Sequence, residues 1–289
     1  MGRRAGALFV TAAILAVPSA LAQVALAPTI FRGVNLPANA VKGLTVACPR
    51  GYVAVSGGLS TAAPGVALLR VEPAGTGAFA FRVGNPAGKP TRRVAVAVAC
   101  RRLRTRSGPG ASFTLKPLQP RSLVVAAGAQ RSAALACPSG TAPAGAGLDL
   151  APGRRGQTTG FTGTQLSVRR IIAGLRSFSF TVRNSGTTAR RVALSGNCIT
   201  VVSKAGAPRE QLRVKVTTFR GSVDPGRQRI TRSCPRGWFS LAAGYAVPDR
   251  SVVIEGAAAL AGGGTWSVVS DAGGPARMIL QLVCGRLER

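Results

Sequence analysis

Six cysteines, Cys48, Cys100, Cys137, Cys198, Cys234 and Cys284, constrain this chain more than any other feature. The gaps between them run 52, 37, 61, 36 and 50 residues, so long and short intervals alternate. Such alternation marks an internal repeat. The first cysteine of each pair opens the same phrase: Cys48-Pro49-Arg50-Gly51, Cys137-Pro138-Ser139-Gly140 and Cys234-Pro235-Arg236-Gly237. Ten residues after each of these cysteines stands another glycine: Gly58, Gly147 and Gly244. The unit C-P-x-G-x(6)-G therefore occurs three times. Pro49 and Gly51 are expected to turn the chain, and Gly58 to lie where the next strand bends or packs closely.

The second cysteine of each pair has its own surroundings. Seven residues before it stands an arginine: Arg93, Arg191 and Arg277. Upstream lies an aromatic strand, with Phe79 and Phe81, Phe178 and Phe180, then Trp266. Alternation follows: Val94, Val96, Val98 and Cys100 share one face, as do Val192, Leu194 and Cys198, and Met278, Leu280, Leu282 and Cys284. A period of two predicts a strand with one buried face, carrying the cysteine. The opposite face, with Arg93, Ala95, Ala97 and Ala99, is expected to be wet.

These repeats divide the chain into 1–22 as a leader and modules at 23–106, 107–206 and 207–289. Pro, Gly and charge at RRLRTRSGPG and SKAGAPRE suit the joins. The middle module is the longest, and its excess falls in LAPGRRGQTTGFTGTQL, read as a loop insertion. Each module has room for five to seven short strands. The expected fold is all-β: three tandem small antiparallel β-sandwich domains, Ig-like in general architecture, each with one disulfide. A true immunoglobulin domain is not expected, because no Trp lies between the cysteines of the first two modules. A single pseudo-threefold barrel is the alternative. Of the fifteen pairings open to six cysteines, the repeat favours Cys48–Cys100, Cys137–Cys198 and Cys234–Cys284.

The chain opens MGRRAGALFVTAAILAVPSALAQ. A basic start, a short apolar run and Ala20-Leu21-Ala22 predict a secretory signal peptide cut before Gln23. No later apolar run is long enough for a transmembrane segment. Export agrees with disulfides.

Charge is the strongest compositional signal: Lys and Arg total 38 against 8 Asp and Glu, giving +30. The modules carry +11, +11 and +6. Such an excess predicts attraction to polyanions, an anionic cell-wall polymer among them. The candidate anion-binding residues are the repeated Arg93, Arg191 and Arg277, with Arg101, Arg102, Arg104 and Arg106 of the run RRLRTR. The competing reading is that basic residues protect strand edges from aggregation. Specific nucleic-acid readout is not expected.

Several chemistries lack their residues. There is no His, so no Ser-His-Asp or Cys-His set forms, and neither C-x-x-C nor a His-based metal site exists. No catalytic residue, cofactor or metal is expected. The first two modules hold one acid each, Glu72 and Asp149, which argues against a carboxylate pair within either. GTGAFA (75–80) fits a dinucleotide-binding fingerprint by letter, but leads into a strand and reads as a hairpin turn. Tyr52 and Trp238 share one place after C-P-R-G, where the middle copy has Thr141, and are expected to pack in the core or at its rim.

With C-P-x-G-x(6)-G and the V-x-V-x-C strand in view, the chain resembles exported proteins of high-GC actinobacteria built from repeated CPxG…GG modules ending in a Cys-bearing strand. The resemblance implies a secreted or cell-envelope protein and no particular activity. The third copy departs at Arg232, where the inward pattern expects an apolar side chain, and its register is open at this point. The function expected is a non-enzymatic binding or envelope protein. The alternative is an extracellular enzyme or enzyme inhibitor acting through a loop.

Overall fold

The computed structural model describes residues 23–26, 29–61, 66–86, 89–104, 110–150, 166–205 and 209–288. The expected signal peptide, most of the middle insertion, and Arg106 lie outside the described residues. Every described element is a strand or a turn, and all registered ladders are antiparallel.

The first third contains β1 (Gln23–Leu26), β2 (Ile30–Leu36), β3 (Ala40–Ala47), β4 (Val53–Thr61), β5 (Ala67–Pro73), β6 (Ala78–Asn85) and β7 (Arg92–Arg104). The second contains β8 (Ala111–Pro117), β9 (Arg121–Val125), β10 (Gln130–Ala136), β11 (Ala142–Asp149), β12 (Leu166–Ala173), β13 (Ser177–Asn184) and β14 (Arg190–Ser203). The third contains β15 (Gln211–Val223), β16 (Gly226–Ser233), β17 (Phe239–Ala246), β18 (Val252–Ala259), β19 (Gly263–Ser270) and β20 (Ala276–Glu288). The opening strand is split in the first two thirds, into β1 and β2 and into β8 and β9, the second break carrying Pro117 and Pro120. The third copy lacks such a proline and runs unbroken as β15.

One pairing scheme repeats. In the first third β7 pairs with β1, β2 and β4, while β6 pairs with β3 and β5. The second third pairs β14 with β8, β9 and β11, and β13 with β10 and β12. The third pairs β20 with β15 and β17, and β19 with β16 and β18. Each third thus supplies two half-sheets, joined by its disulfide, in a β-sandwich-like arrangement. The disulfides are Cys48–Cys100, Cys137–Cys198 and Cys234–Cys284, the pairing favoured by the repeat, with Cα–Cα separations of 5.7, 5.7 and 5.8 Å.

The half-sheets do not stop at the expected boundaries. β5 pairs with β11 through Leu148↔Val71 and Asp149↔Arg70, and β12 pairs with β17 through Ile171↔Tyr245 and Arg170↔Ala246. A third seam brings β18 against β4, where a Cβ on Gly58 would lie 1.8 Å from the Ala257 carbonyl oxygen. The first third meets the second, the second meets the third, and the third returns to the first. The chain closes into a ring of three, not a row of separate beads.

The repeated tenth-position glycines lie at these seams. A Cβ on Gly244 would meet the Ile171 carbonyl oxygen at 2.4 Å, and one on Gly147 would crowd Pro73 and Glu72. Each glycine lets a strand of one third lie against a strand of its neighbour. One hydrophobic core includes Val55, Leu194 and Leu241 from three different thirds, while a second belongs mainly to the last third.

The cysteine-bearing faces of β7, β14 and β20 are buried, as their alternation predicts. The opposite face departs from expectation. Ala97 and Ala99 are 1% exposed, and Asn197, Ile199 and Val283 are equally enclosed, because this end of each strand runs into the ring's interior. In the last third Arg232 opposes Gly264, the register that gives Val46↔Phe79 and Leu135↔Phe178 elsewhere. Register is therefore preserved despite the substitution. The exposed Arg232 stacks on Phe219 at 5.7 Å, and buried Trp266 takes up space beside Gly264, where a Cβ would lie 2.9 Å from its ring.

Candidate anion-binding face

The C-P-x-G phrase builds the same turn three times. The amides of Tyr52, Thr141 and Trp238 donate to the carbonyls of Pro49, Pro138 and Pro235 at 3.0, 3.1 and 3.0 Å. Gly51, Gly140 and Gly237 occupy positive φ at 81°, 73° and 79°, which glycine adopts without the steric cost of a Cβ. The amides of Cys48, Cys137 and Cys234 donate to the carbonyls of Gly77, Arg176 and Gly262 at 2.7, 2.8 and 2.8 Å, fastening each turn to a neighbouring hairpin. All six cysteines are consumed in disulfides.

The arginines singled out in the sequence separate into distinct environments. Arg93, Arg191 and Arg277 are exposed near the starts of β7, β14 and β20. Arg102 lies nine residues beyond Arg93 on β7, about 30 Å along an extended strand. The repeated arginines and the RRLRTR run therefore mark opposite ends of a strand. The backbone of Arg104 pairs with Gln23.

Arg101 requires a correction. The expected surface arginine is 0% exposed. Its guanidinium donates to the carbonyls of Cys100, Ser240, Leu260 and Ala261 at 2.8, 3.0, 2.7 and 3.1 Å, and to Ser240 Oγ at 3.0 Å. It joins the first third to the last from inside the ring. Burial lowers its pKa to about 10. Arg101 shares the face of Ala97 and Ala99, which alternation assigns to solvent but which is enclosed at this end of the strand by the neighbouring third.

The cysteine ends of the last strands carry a combination that sequence order hides. Arg102 lies over Tyr52 with its guanidinium carbon 6.0 Å from the ring centroid, and Arg286 lies over Trp238 at 5.1 Å. Both aromatic rings are half-buried, in keeping with rim packing. The corresponding middle pair is Thr141 and Thr200; Thr200 donates to the Gly140 carbonyl at 3.1 Å. The position two residues after the second cysteine was the available sequence signal for Arg102 and Arg286.

Glu288 completes the last copy. Arg286 Nε donates to Glu288 Oε1 at 3.1 Å, Arg286 Nη2 also engages that oxygen, and Arg213 Nη1 donates to Oε2 at 3.1 Å. The hydrogen bond from Arg286 is the leading cause holding this carboxyl below its ordinary pKa. The surface around the three turns, the turn face, also carries exposed Arg50 and Arg236 within the phrases, Arg176, whose carbonyl accepts from the Cys137 amide, and Lys116, opposite Cys198. Glu210, on the adjoining segment, is buried.

Glu72, Asp149 and Glu255 are also engaged by arginine. Arg82 donates to Asp149 at 2.9 Å, Arg70 lies 3.9 Å from Asp149 and contacts Glu72, and Arg227 lies 2.7 Å from Glu255. The single acids of the first two thirds therefore meet on Arg70 across a seam, a juxtaposition hidden by their assignment to separate modules. No group of three or more Cys, Asp or Glu that could hold a metal ion occurs among the described residues. Nor is there among them a helix long and apolar enough to cross a membrane. Fold and surface define an all-β, three-disulfide protein with an arginine-rich turn face. No family model matches the chain, and no curated protein matches it.

Proposed function

We propose that this is a secreted or cell-envelope, non-enzymatic protein that holds anionic polymers on its turn face. Its thirds are best read as three Ig-like sandwich modules fused into one ring. The observation that carries the binding reading is the charge balance at that face: Arg50, Arg102, Lys116, Arg176 and Arg236 are exposed, while Glu288 is occupied by Arg213 and Arg286 and Glu210 is buried. Such a surface gains affinity from released counterions and loses it as salt rises. The carboxylates brought together at Arg70 are engaged by guanidinium groups, which supports a structural role for Glu72 and Asp149 over acid–base chemistry.

Not every cation is assigned to the ligand. Arg32, Lys42, Arg131, Lys215 and Arg229 lie on outer strands of the sheets, where charge also discourages edge pairing. Sedimentation with purified cell walls tests the reading. Binding should be strong in about 50 mM salt and fall at least about tenfold in about 300 mM. Absence of binding at both concentrations would overturn it.

A further inference from the structure

The first and third copies of the turn face differ in one informative respect. In the third, Trp238 supports Arg286, and Arg286 and Arg213 together grip the Glu288 carboxylate. In the first, Tyr52 supports Arg102, whose guanidinium also lies over Gly51. The residue four places after the second cysteine is Glu288 in the third copy but arginine, at position 104, in the first. The first copy therefore repeats the arginine-on-aromatic arrangement without the neighbouring glutamate.

We infer that Arg102, resting on Tyr52 beside Arg50, is a subsite for a carboxylate from outside the chain, and that Glu288 occupies the corresponding subsite of the third copy. The inference rests on the polyanion-binding reading and gives it a ligand class: a polymer bearing carboxylates. Tyr52 restricts the guanidinium before binding, while the planar fork matches two carboxylate oxygens. Gly51 keeps the approach low, and its positive φ disfavours any side chain there. In the third copy the internal carboxylate competes with a ligand for Arg286.

The test uses the full chain and three probes at about 50 mM salt: oligoglutamate of about 20 residues, oligogalacturonate and inorganic polyphosphate, matched in charge. Arg102→Gln should weaken binding of at least one carboxylate polymer about tenfold relative to Arg131→Gln, a charge-matched change on an outer strand. The polymer affected identifies a peptide or a sugar-acid source. Glu288→Gln should strengthen binding of the same polymer beyond Asp271→Asn, which removes one negative charge elsewhere. Thermal melting checks that each variant remains folded.

Equal losses for Arg102→Gln and Arg131→Gln would overturn this subsite while leaving polyanion binding intact. An equal Arg102→Gln loss for polyphosphate would overturn the carboxylate assignment. No gain from Glu288→Gln over Asp271→Asn would overturn the internal-competitor relation. Failure of the natural chain to bind any of the three polymers would defeat the broader reading as well.

Discussion

A methyl group at Gly58 would sit 1.8 Å from the Ala257 carbonyl oxygen, and backbone cannot move aside as a flexible side-chain tip can. Gly58→Ala should therefore destabilise the fold by about 3 kcal/mol, the upper part of the usual overpacking range. Gly221 has open space around its prospective Cβ, so Gly221→Ala should change stability by no more than about 0.5 kcal/mol. Denaturant unfolding of the pair checks the seam assignment; similar stability changes would count against it. Arg101 acts at the same scale through hydrogen bonds. Arg101→Met should cost about 2 kcal/mol, because the Ser240, Leu260 and Ala261 carbonyls lose their donor. A variant as stable as the natural chain would show that the cost of burying this cation cancels its bonds.

At the scale of elements, each disulfide joins the turn leaving one half-sheet to the last strand of the other. Its sequence span of 50 to 61 residues limits the unfolded chain strongly. Replacing both Cys137 and Cys198 with Ala should lower stability by about 4 kcal/mol in the chain-entropy model, measurable by chemical denaturation. A loss below about 1 kcal/mol would mean that seam packing constrains that third without the bond. The cysteine spacing and strand alternation made the pairing and buried faces legible. Alternation could not show that the second face of β7 is also enclosed near Arg101. That depends on the neighbouring third, which no local period encodes.

At the scale of the whole molecule, half-sheets crossing module boundaries and a shared core argue for cooperative unfolding. Calorimetry of the full chain should give one transition. The isolated segment 23–106 should lack a sharp transition, because β4 and β5 lose their partners across the seams. A protease-resistant segment with sigmoidal unfolding would contradict this prediction. The same ring explains why the candidate anion site was only partly legible. Tyr52 and Arg102 lie far apart in one repeat and come together only where β4 pairs with β7, beside Val53↔Arg101, whereas Arg101 turns inward to hold another repeat.

By itself, the order of residues determined the threefold repeat, the cysteine pairing, the alternating strands and the surplus of positive charge, because these reside in spacing and composition. Tertiary structure decided which glycines form seams, which arginines face solvent and which carboxylate occupies Arg286. Those outcomes depend on strands from different thirds approaching within bonding or steric range. The C-P-x-G-x(6)-G phrase belongs to both levels: its early glycine makes a local turn, while its later glycine closes the ring.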